Sequence, residues 1–453
     1  MTQHSWRIAR LWLLILGAAV VLPTWANAWE RETLSAFHER RARLLRETGG
    51  DGIVVLFGYR EQDIGVATTP FRQNENFYYL TGWNEPDAML LLVPKAGKAA
   101  GGEVEIEKEI LFIPPHDYGQ EKWMGPKLGP DDADATARTG FPAVRSNTLF
   151  KSELDEALKG FSKIYTEMTP QPEAGEECFI QDMQGRIKKL APLASLNDFR
   201  NILARMRMIK TPGEVALIRK ATDASVEAHL AALKATKPGA WEYEVAARMM
   251  YEFQRLGCEW PAYPPIVGSG FYSTVLHYGQ NSKQMAEGEV VVMDVAGAYG
   301  GYSSDITRTL PVSGKFTPRQ REIYEIVLAA ADAAKAAAKP GAHLGRRGAM
   351  GLHEIAYDYI NSHGKDLKGQ RLGQYFIHGL SHHVGLNVHD PADYSQPLQP
   401  GMIVTIEPGI YIPEENLGVR IEDIVLITDD DCEVLSRRLP RTVEDVERAM
   451  AAR

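Results

Sequence analysis

Cysteine is nearly absent from this chain. Three occur in 453 residues, Cys178, Cys258 and Cys432, with no C-x-x-C pair. That excludes a disulfide-built scaffold and a thiolate metal site. An odd, sparse set leaves open one bridge or, more simply, three buried thiols. Tracts of basic residues are also missing, and acids outnumber Lys and Arg by 59 to 50. Nucleic acid is therefore not an expected partner, because it needs a basic stripe to displace counterions. Low-complexity segments are lacking. So are apolar runs long enough to span a bilayer. The longest, Leu11 to Leu22, falls short of the roughly 20 residues that a span requires. It follows Arg7 and Arg10 and precedes Ala26-Asn27-Ala28. Basic start, apolar centre and A-x-A end are the parts of a cleaved export signal, expected over residues 1–28. A periplasmic or secreted protein follows, with no stable membrane anchor after cleavage. The remainder is long enough for two domains, each with its own core.

Glu30 to Glu47 reads as a charged helix. Short runs rich in Val, Ile, Leu and Tyr follow at 51–59, 77–83, 87–94 and 103–115, set off by Gly, Pro or Asn; each is expected to be a strand. Helices are expected at 153–158 and 177–190. This gives an α/β first domain over 29–200, with a boundary near 195–212 and a second domain over 201–453. Thr211-Pro212-Gly213-Glu214 and Thr317-Pro318-Arg319-Gln320 are both helix starts, with Thr as cap, Pro first and an acid or amide third. Helices at about 213–236, 241–256, 317–338 and 346–363 alternate with strands at about 289–296, 302–310, 403–411 and 420–428. Paired helices with antiparallel-type strands make the fold class α+β. Two helices then two strands, twice, is a weak internal echo.

The chemistry gathers in the second domain. Asp294 ends the run Val290-Val291-Val292-Met293, and Asp305 follows Tyr302-Ser303-Ser304. Glu407 lies in Ile403 to Gly409 and Glu422 in Val419 to Val425. An acid beside an apolar strand is costly to bury unless it is paired or metal-bound. The glycine-rich turn at Gly297 to Gly301 can bring the first two together as a hairpin. Each acid alone could cap a turn, and Arg420 could pair with Glu422. Four such acids beside a histidine cluster fit that account poorly. His378, His382, His383 and His389 fall within twelve residues, interleaved with Gly379 and Gly385. Asp390 is placed to orient the imidazole of His389, while His383 is assigned to packing or the surface. Carboxylates with imidazole suit Mn²⁺, Zn²⁺, Co²⁺ or Fe²⁺ rather than a soft thiolate metal. A pair of such ions sharing a water makes a nucleophile for hydrolysis at neutral pH.

With these residues in view, the chain resembles the aminopeptidase P (Xaa-Pro aminopeptidase) family of the creatinase/prolidase "pita-bread" superfamily. The resemblance rests on VGSG at Val267, LHYGQN around His277, DVAGAYGGYSSDITRT, HGLSHHVGLNVHD, IEPGIYIP and VRIEDIVLIT, in that order. In the first half, FRQNENFYYLTGWNEPDAMLLL and LFIPPHDYGQEKWMGPKLG carry it. It implies an N-terminal α/β creatinase-like domain followed by a C-terminal pita-bread metallopeptidase domain. It implies two divalent ions, manganese being the family expectation, with zinc or cobalt also fitting the donors. Asp294 would chelate one ion, Asp305 and Glu422 would bridge both, and His382 and Glu407 would complete the shell of the second ion. Glu407 would also move the proton. His277 and His389 would bind near the scissile carbonyl, and His378, Tyr263 and Tyr411 would line the proline pocket. Arg420 would orient the neighbouring carboxylates. Substrates would be peptides with proline second, and a homo-oligomer, dimer or tetramer, would help exclude longer N-terminal extensions.

Rival readings are distinguishable. An Xaa-Pro dipeptidase (prolidase) shares the five ligands; Ser381 before His382 and the FYYLTGW segment look more like the aminopeptidase. Creatinase lacks the metal set. Methionine aminopeptidase usually lacks so large a first domain. A metal-free peptide-binding module on this fold would typically have lost ligands, and all five are here.

Overall fold

The computed structural model describes residues 30–60, 71–95, 104–169, 176–346 and 350–452. The expected export signal at 1–28 and the side chain of Cys178 fall outside these residues. Cys258 and Cys432 are free thiols, the first buried and the second half-buried. Among the described residues no helix is long and apolar enough to cross a membrane.

The first domain runs α1 (Leu34–Glu47), β1 (Ile53–Phe57), α2 (Glu75–Thr81), β2 (Met89–Pro94), β3 (Ile106–Ile113), α3 (Tyr118–Met124), α4 (Ala135–Thr139), β4 (Ala143–Ser146), α5 (Phe150–Ala157), β5 (Lys163–Thr166), α6 (Glu176–Leu190) and β6 (Ser195–Asp198). Its six strands form one mixed sheet in the order β4-β3-β2-β1-β5-β6. β1 is fully buried, as an unbroken Ile-Val-Val-Leu-Phe run requires of a central strand.

One expected strand is a helix. Residues 77–81 of that run lie in α2, where the Asn74 side chain accepts a hydrogen bond from the Phe77 amide and Gly82, at φ 67°, stops the helix in the left-handed region. Phe77, Tyr78, Tyr79 and Leu80 are all buried. A helix buried all round shows no periodicity to separate it from a strand, so the cap residues were the signal to read.

Helix α7 (Arg200–Met208) leads into the second domain: α8 (Pro212–Ala235), α9 (Glu242–Arg255), β7 (Trp260–Pro261), β8 (Ile266–Ser269), β9 (Val290–Asp294), β10 (Gly297–Tyr299), β11 (Tyr302–Ser303), β12 (Thr307–Pro311), α10 (Pro318–Ala337), α11 (Leu352–Ser362), β13 (Ile403–Ile406), β14 (Gly409–Ile412), β15 (Leu417–Arg420), β16 (Asp423–Ile427), β17 (Cys432–Val434) and α12 (Val443–Ala451). Both Thr-Pro starts form full capping boxes, at Thr211 and Thr317. The strands pair antiparallel in short sheets, β12-β9-β8, β11-β10-β7, β13-β16-β17 and β14-β15. Helix pairs followed by strands recur, α8–α9 before β8–β12 and α10–α11 before β13–β16.

The strand expected over 403–411 is two strands, broken at Glu407-Pro408, because proline has no amide hydrogen for the ladder. The one expected over 420–428 begins at Asp423, with Arg420 ending the strand before it. These breaks matter for the site. Residues 31–453 pack as one unit, so the first domain lies against the second.

Candidate metal centre and active site

Strand breaks present the acids. Asp294 ends β9, opposite Thr307 of β12. Asp305 lies between β11 and β12, Glu407 between β13 and β14, and Glu422 between β15 and β16. The hairpin turn that brings Asp294 and Asp305 together is Gly300-Gly301, at φ 62° and 86°, where Tyr299 pairs with Tyr302. Two successive left-handed residues make the tight turn that matches strand twist. Ile406 pairs with Asp423, so Glu407 and Glu422 leave their strands at the same end. The Glu422 amide donates to the Thr307 carbonyl, 3.1 Å away, which ties this corner to β12. His382 runs alongside β13, its carbonyl accepting from the Thr405 amide at 3.0 Å.

The five side chains converge on one cavity. His382 Nε2 is 3.3 Å from Asp305 Oδ2 and 3.4 Å from Glu407 Oε1. Donor atoms of Asp305, His382 and Glu422 lie within 4.8 Å of one another. His382 Nδ1 donates to the His383 carbonyl at 3.2 Å, which turns Nε2 toward the carboxylates. Surrounding groups fix the acids. Thr307 Oγ1 donates to Glu422 at 2.7 Å and accepts from Arg420 Nε at 3.0 Å. Thr405 Oγ1 donates to Glu407 at 3.1 Å, and the Tyr263 hydroxyl donates to Asp305 at 2.6 Å. Arg420 Nη2 donates to Asp294 Oδ2 at 2.7 Å. Asp294 Oδ1 is buried and receives no hydrogen bond, which leaves it free to ligate a cation.

Four carboxylates this close, faced by one arginine, repel each other. Burial, then Asp305, Glu407 and Asp294, push Glu422 well above the usual carboxylate range. Burial raises Glu407 to about 7 against the pull of His382, with Asp305 adding repulsion. Burial also raises Asp294, although Arg420 opposes it. His382 rises to about 9, because the hydrogen bond it donates to Asp305 and the charges of Glu407 and Asp305 overcome its burial. The donor set of four carboxylates and one imidazole nitrogen fits hard or borderline divalent cations. Their charge would remove the repulsion.

The cavity over these donors holds about 430 Å³, and His277, His378, His389 and Tyr394 help wall it. A second hollow of about 410 Å³ adjoins it through His277, Asp294, Asp305 and His389, and adds Tyr263, Ile266 and Val388. All five expected ligands, with His277, His378, His389, Tyr263 and Arg420, border one or both. Tyr411 is placed differently. It stands one layer back, buried, with its hydroxyl accepting from Arg420 Nη1 at 2.9 Å and donating to His378 Nε2 at 2.8 Å. His378 Nδ1 donates to the Gly379 carbonyl at 2.7 Å, so Nε2 is the acceptor, and burial and Arg420 hold this imidazole down to about 3 and neutral.

One other expectation is corrected. Asp390 does not meet His389; it is paired with Arg207 at 2.6 Å and Lys210 at 3.4 Å. Two buried cations close by outcompete one imidazole at the solvent edge. The alternative of an Arg420–Glu422 pair also gives way, because Arg420 pairs with Asp294. His383 packs edge-on against Tyr394, in line with a packing role. Thr307, Thr405 and Tyr394 went unnoticed in the sequence. Thr307 stands two residues after Asp305, and Thr405 two before Glu407, on the same strand face as the acid in the second case; that period-two spacing was the available signal.

Buried carboxylates with one imidazole, at an open cavity walled by further imidazoles, are the site of a metal-dependent hydrolase. The chain belongs to the M24 metallopeptidases, in their aminopeptidase P branch. The family profile "Metallopeptidase family M24" matches residues 216–429, and "Aminopeptidase P, N-terminal domain" matches residues 37–165. Xaa-Pro aminopeptidase of Escherichia coli is 32% identical over 92% of this chain and 97% of its own length. Among solved structures, a putative aminopeptidase P from Bacillus anthracis superposes with TM-score 0.82 at 29% identity, covering 93% of this chain and 99% of that one. Aminopeptidase P from E. coli with the inhibitor Pro-Leu superposes with TM-score 0.78 at 30% identity and the same coverage.

Proposed function

We propose that this chain removes the N-terminal residue from peptides whose second residue is proline, as an exported homo-oligomeric enzyme using two divalent ions, manganese first among them. The observation that carries this reading is the five-donor floor under a wall of imidazoles, in a chain that an Xaa-Pro aminopeptidase matches over 92% of its length. Asp294, Asp305, His382, Glu407 and Glu422 would hold the ions. When bound, the ions would supply Lewis acidity and bring a water's pKa toward neutral.

The remaining work belongs to side chains. An X-Pro bond is a tertiary amide without an N–H to grip, so recognition must use the ring's shape. His378, held at both nitrogens by Gly379 and Tyr411, offers a fixed flat face for it. His277 and His389 face the carboxylates across the cavity and would hydrogen-bond the scissile carbonyl oxygen as charge grows there. Glu407 would take the proton from the attacking water and deliver it to the proline nitrogen. Arg420 and Thr307 keep the carboxylates in register.

A dipeptidase needs a cation for the product carboxylate. Among the described lining residues of both hollows, Arg420 is the one Lys or Arg, and it is committed to Asp294, Tyr411 and Thr307. That favours longer peptides. The test is the metal-stripped protein resupplied with Mn²⁺ and given Arg-Pro-Pro and Ala-Pro. Release of free Arg from the tripeptide is expected; cleavage of Ala-Pro alone would make it a dipeptidase, and cleavage of neither with any divalent ion would end the reading.

A further inference from the structure

The loop from His383 to Asp390 carries His389 and Val388 into the cavity. It has no helix or strand of its own to hold it. The Ser303 amide, donating to the Gly385 carbonyl at 2.8 Å, and Lys210, 3.4 Å from Asp390, hold it from the second domain, and two arginines clamp it further. Arg72 Nη2 donates to the Leu386 carbonyl at 2.9 Å. Arg207 Nη2, on α7, donates to Asp390 Oδ1 at 2.6 Å. Asp390 in turn accepts from the Asn387 amide at 3.1 Å, and Asn387 Oδ1 accepts from the His389 amide at 3.3 Å. A Cβ at Gly385 would lie 2.5 Å from the Asp390 carboxylate, so glycine is what lets the loop fold over that anion.

Both arginines trace back to a single place in the first domain. Glu75, in the first turn of α2, pairs with Arg72 at 2.9 Å. Asn76, next along, accepts from Arg207 Nη1 at 2.6 Å and donates to Glu167 at the end of the first-domain sheet. Arg207 and Asp390 are both almost wholly buried. One helical turn of the first domain therefore holds both clamps on the His389 loop.

We propose that the first domain positions His389, with Arg72 and Arg207 as positioning residues that act on catalysis through the loop. This rests on the role given to His389 above. It makes the first domain part of the catalytic apparatus rather than only a wall that limits substrate length. A pocket residue must be held to within a fraction of an ångström by its supports, and loss of an outer support typically lowers activity about 10- to 100-fold.

The test uses the full-length, Mn²⁺-loaded enzyme and Arg-Pro-Pro. Arg207→Met should lower kcat about 10- to 100-fold, and Arg72→Met about three- to tenfold, with bound metal unchanged. Arg207→Lys keeps the charge but loses the two-pronged contact, so it should fall between wild type and Arg207→Met. In a His389→Ala background both losses should shrink to within about twofold, because the residue they serve is gone. Losses that multiply in the double variants, or metal lost with either arginine, would overturn the proposal. Should Arg207→Met fail to fold, Arg72→Met decides, since its side chain is about one-third exposed. If the wild type cleaves no X-Pro peptide, the functional reading fails by itself. The positional claim is then read from the imidazole resonance of His389 in histidine-labelled protein. That resonance should move on Arg72→Met, and a fixed resonance would refute the claim.

Discussion

Glu422 and Asp423 are consecutive, and both are buried, yet they belong to regions with opposite electrostatics. Glu422 turns toward Asp294, Asp305 and Glu407 and is pushed well above the usual carboxylate range by burial and by those three acids. Asp423 turns the other way, onto Arg308 at 2.6 Å, Arg441 at 2.8 Å and Ser436 at 2.7 Å. Burial would raise it too, but the two guanidiniums win and hold it down to about 2. Burial is common to both, so it is not what separates them. The count of fixed cations is. Behind the strand, two arginines converge on one buried acid, and the protein is complete by itself. In front, one arginine serves four acids, and the fold has left charge for something else to neutralise.

Substitutions on the two sides should therefore part company. Asp305→Ala should abolish peptidase activity and metal binding. In the metal-stripped protein it should change the melting temperature little, because relief of repulsion at Glu422 and Glu407 offsets the partner taken from His382 and Tyr263. Asp423→Ala should do the reverse to stability, lowering it by about 3–5 kcal/mol, since Arg308 is left buried without its carboxylate and Arg441 with Asp332 alone. Calorimetry of both metal-free variants checks this; an Asp305→Ala protein that melts as low as Asp423→Ala would erase the distinction. His389→Ala touches neither side's charge balance. It should lower kcat about 100-fold with metal retained, and metal lost on dialysis would instead make His389 a ligand.

The front side also sets a pH dependence for the metal-stripped protein. Glu407 is raised from 4.5 to about 7, so the folded state holds its proton longer than the unfolded chain and stability falls as pH rises through that window. His382 is raised from 6.5 to about 9; its stabilisation is complete below 6.5 and is lost on rising through 9. Both shifts run the same way, so apo stability should decline from about pH 5 to pH 9. Asp423 works in the opposite sense, with stability present above 3.8 and lost toward pH 2. Divalent metal at a hundred times its Kd should restore about 2.7 kcal/mol at pH 7. Denaturant melts across pH, with and without Mn²⁺, would show it, and a flat apo profile would contradict the electrostatics of the floor.

Sequence carried the front side better than the back. Asp294, Asp305, Glu407 and Glu422 were legible because an acid in an apolar strand is conspicuous, and the histidine cluster supplied the imidazole. Asp423 drew no reading although it sits in the same run as Glu422, since only the strand break at Ile421-Glu422 shows that the two turn apart. Asp390 was assigned to His389 from adjacency, whereas Arg207 reaches it from 183 residues away. Long-range partners of this kind leave no local pattern. Helix α2 was missed for a related reason: a segment buried on every side loses the periodicity that separates helix from strand, and only Asn74 and Gly82 marked its ends. The helix starts at Thr211 and Thr317 were read correctly because capping is local chemistry.

Tyr411 offers the finest cut between the two regions, because its hydroxyl joins the single front-side arginine to an imidazole of the pocket. It accepts from Arg420 and donates to His378. Tyr411→Phe keeps the ring and removes that oxygen. Arg420 still holds Asp294 and Thr307, so the carboxylates should stay in place and metal content should not change. His378 keeps its bond to Gly379 but loses the one at Nε2, and its ring is then free to tilt. One hydrogen bond of this kind contributes about 1 kcal/mol, so kcat/KM on Arg-Pro-Pro should fall about fivefold. The loss should follow proline rather than the N-terminal residue, appearing equally for Arg-Pro-Pro and Ala-Pro-Pro. A variant that lost metal would instead place Tyr411 in the support of the ion site, with Arg420 unable to hold Asp294 without it.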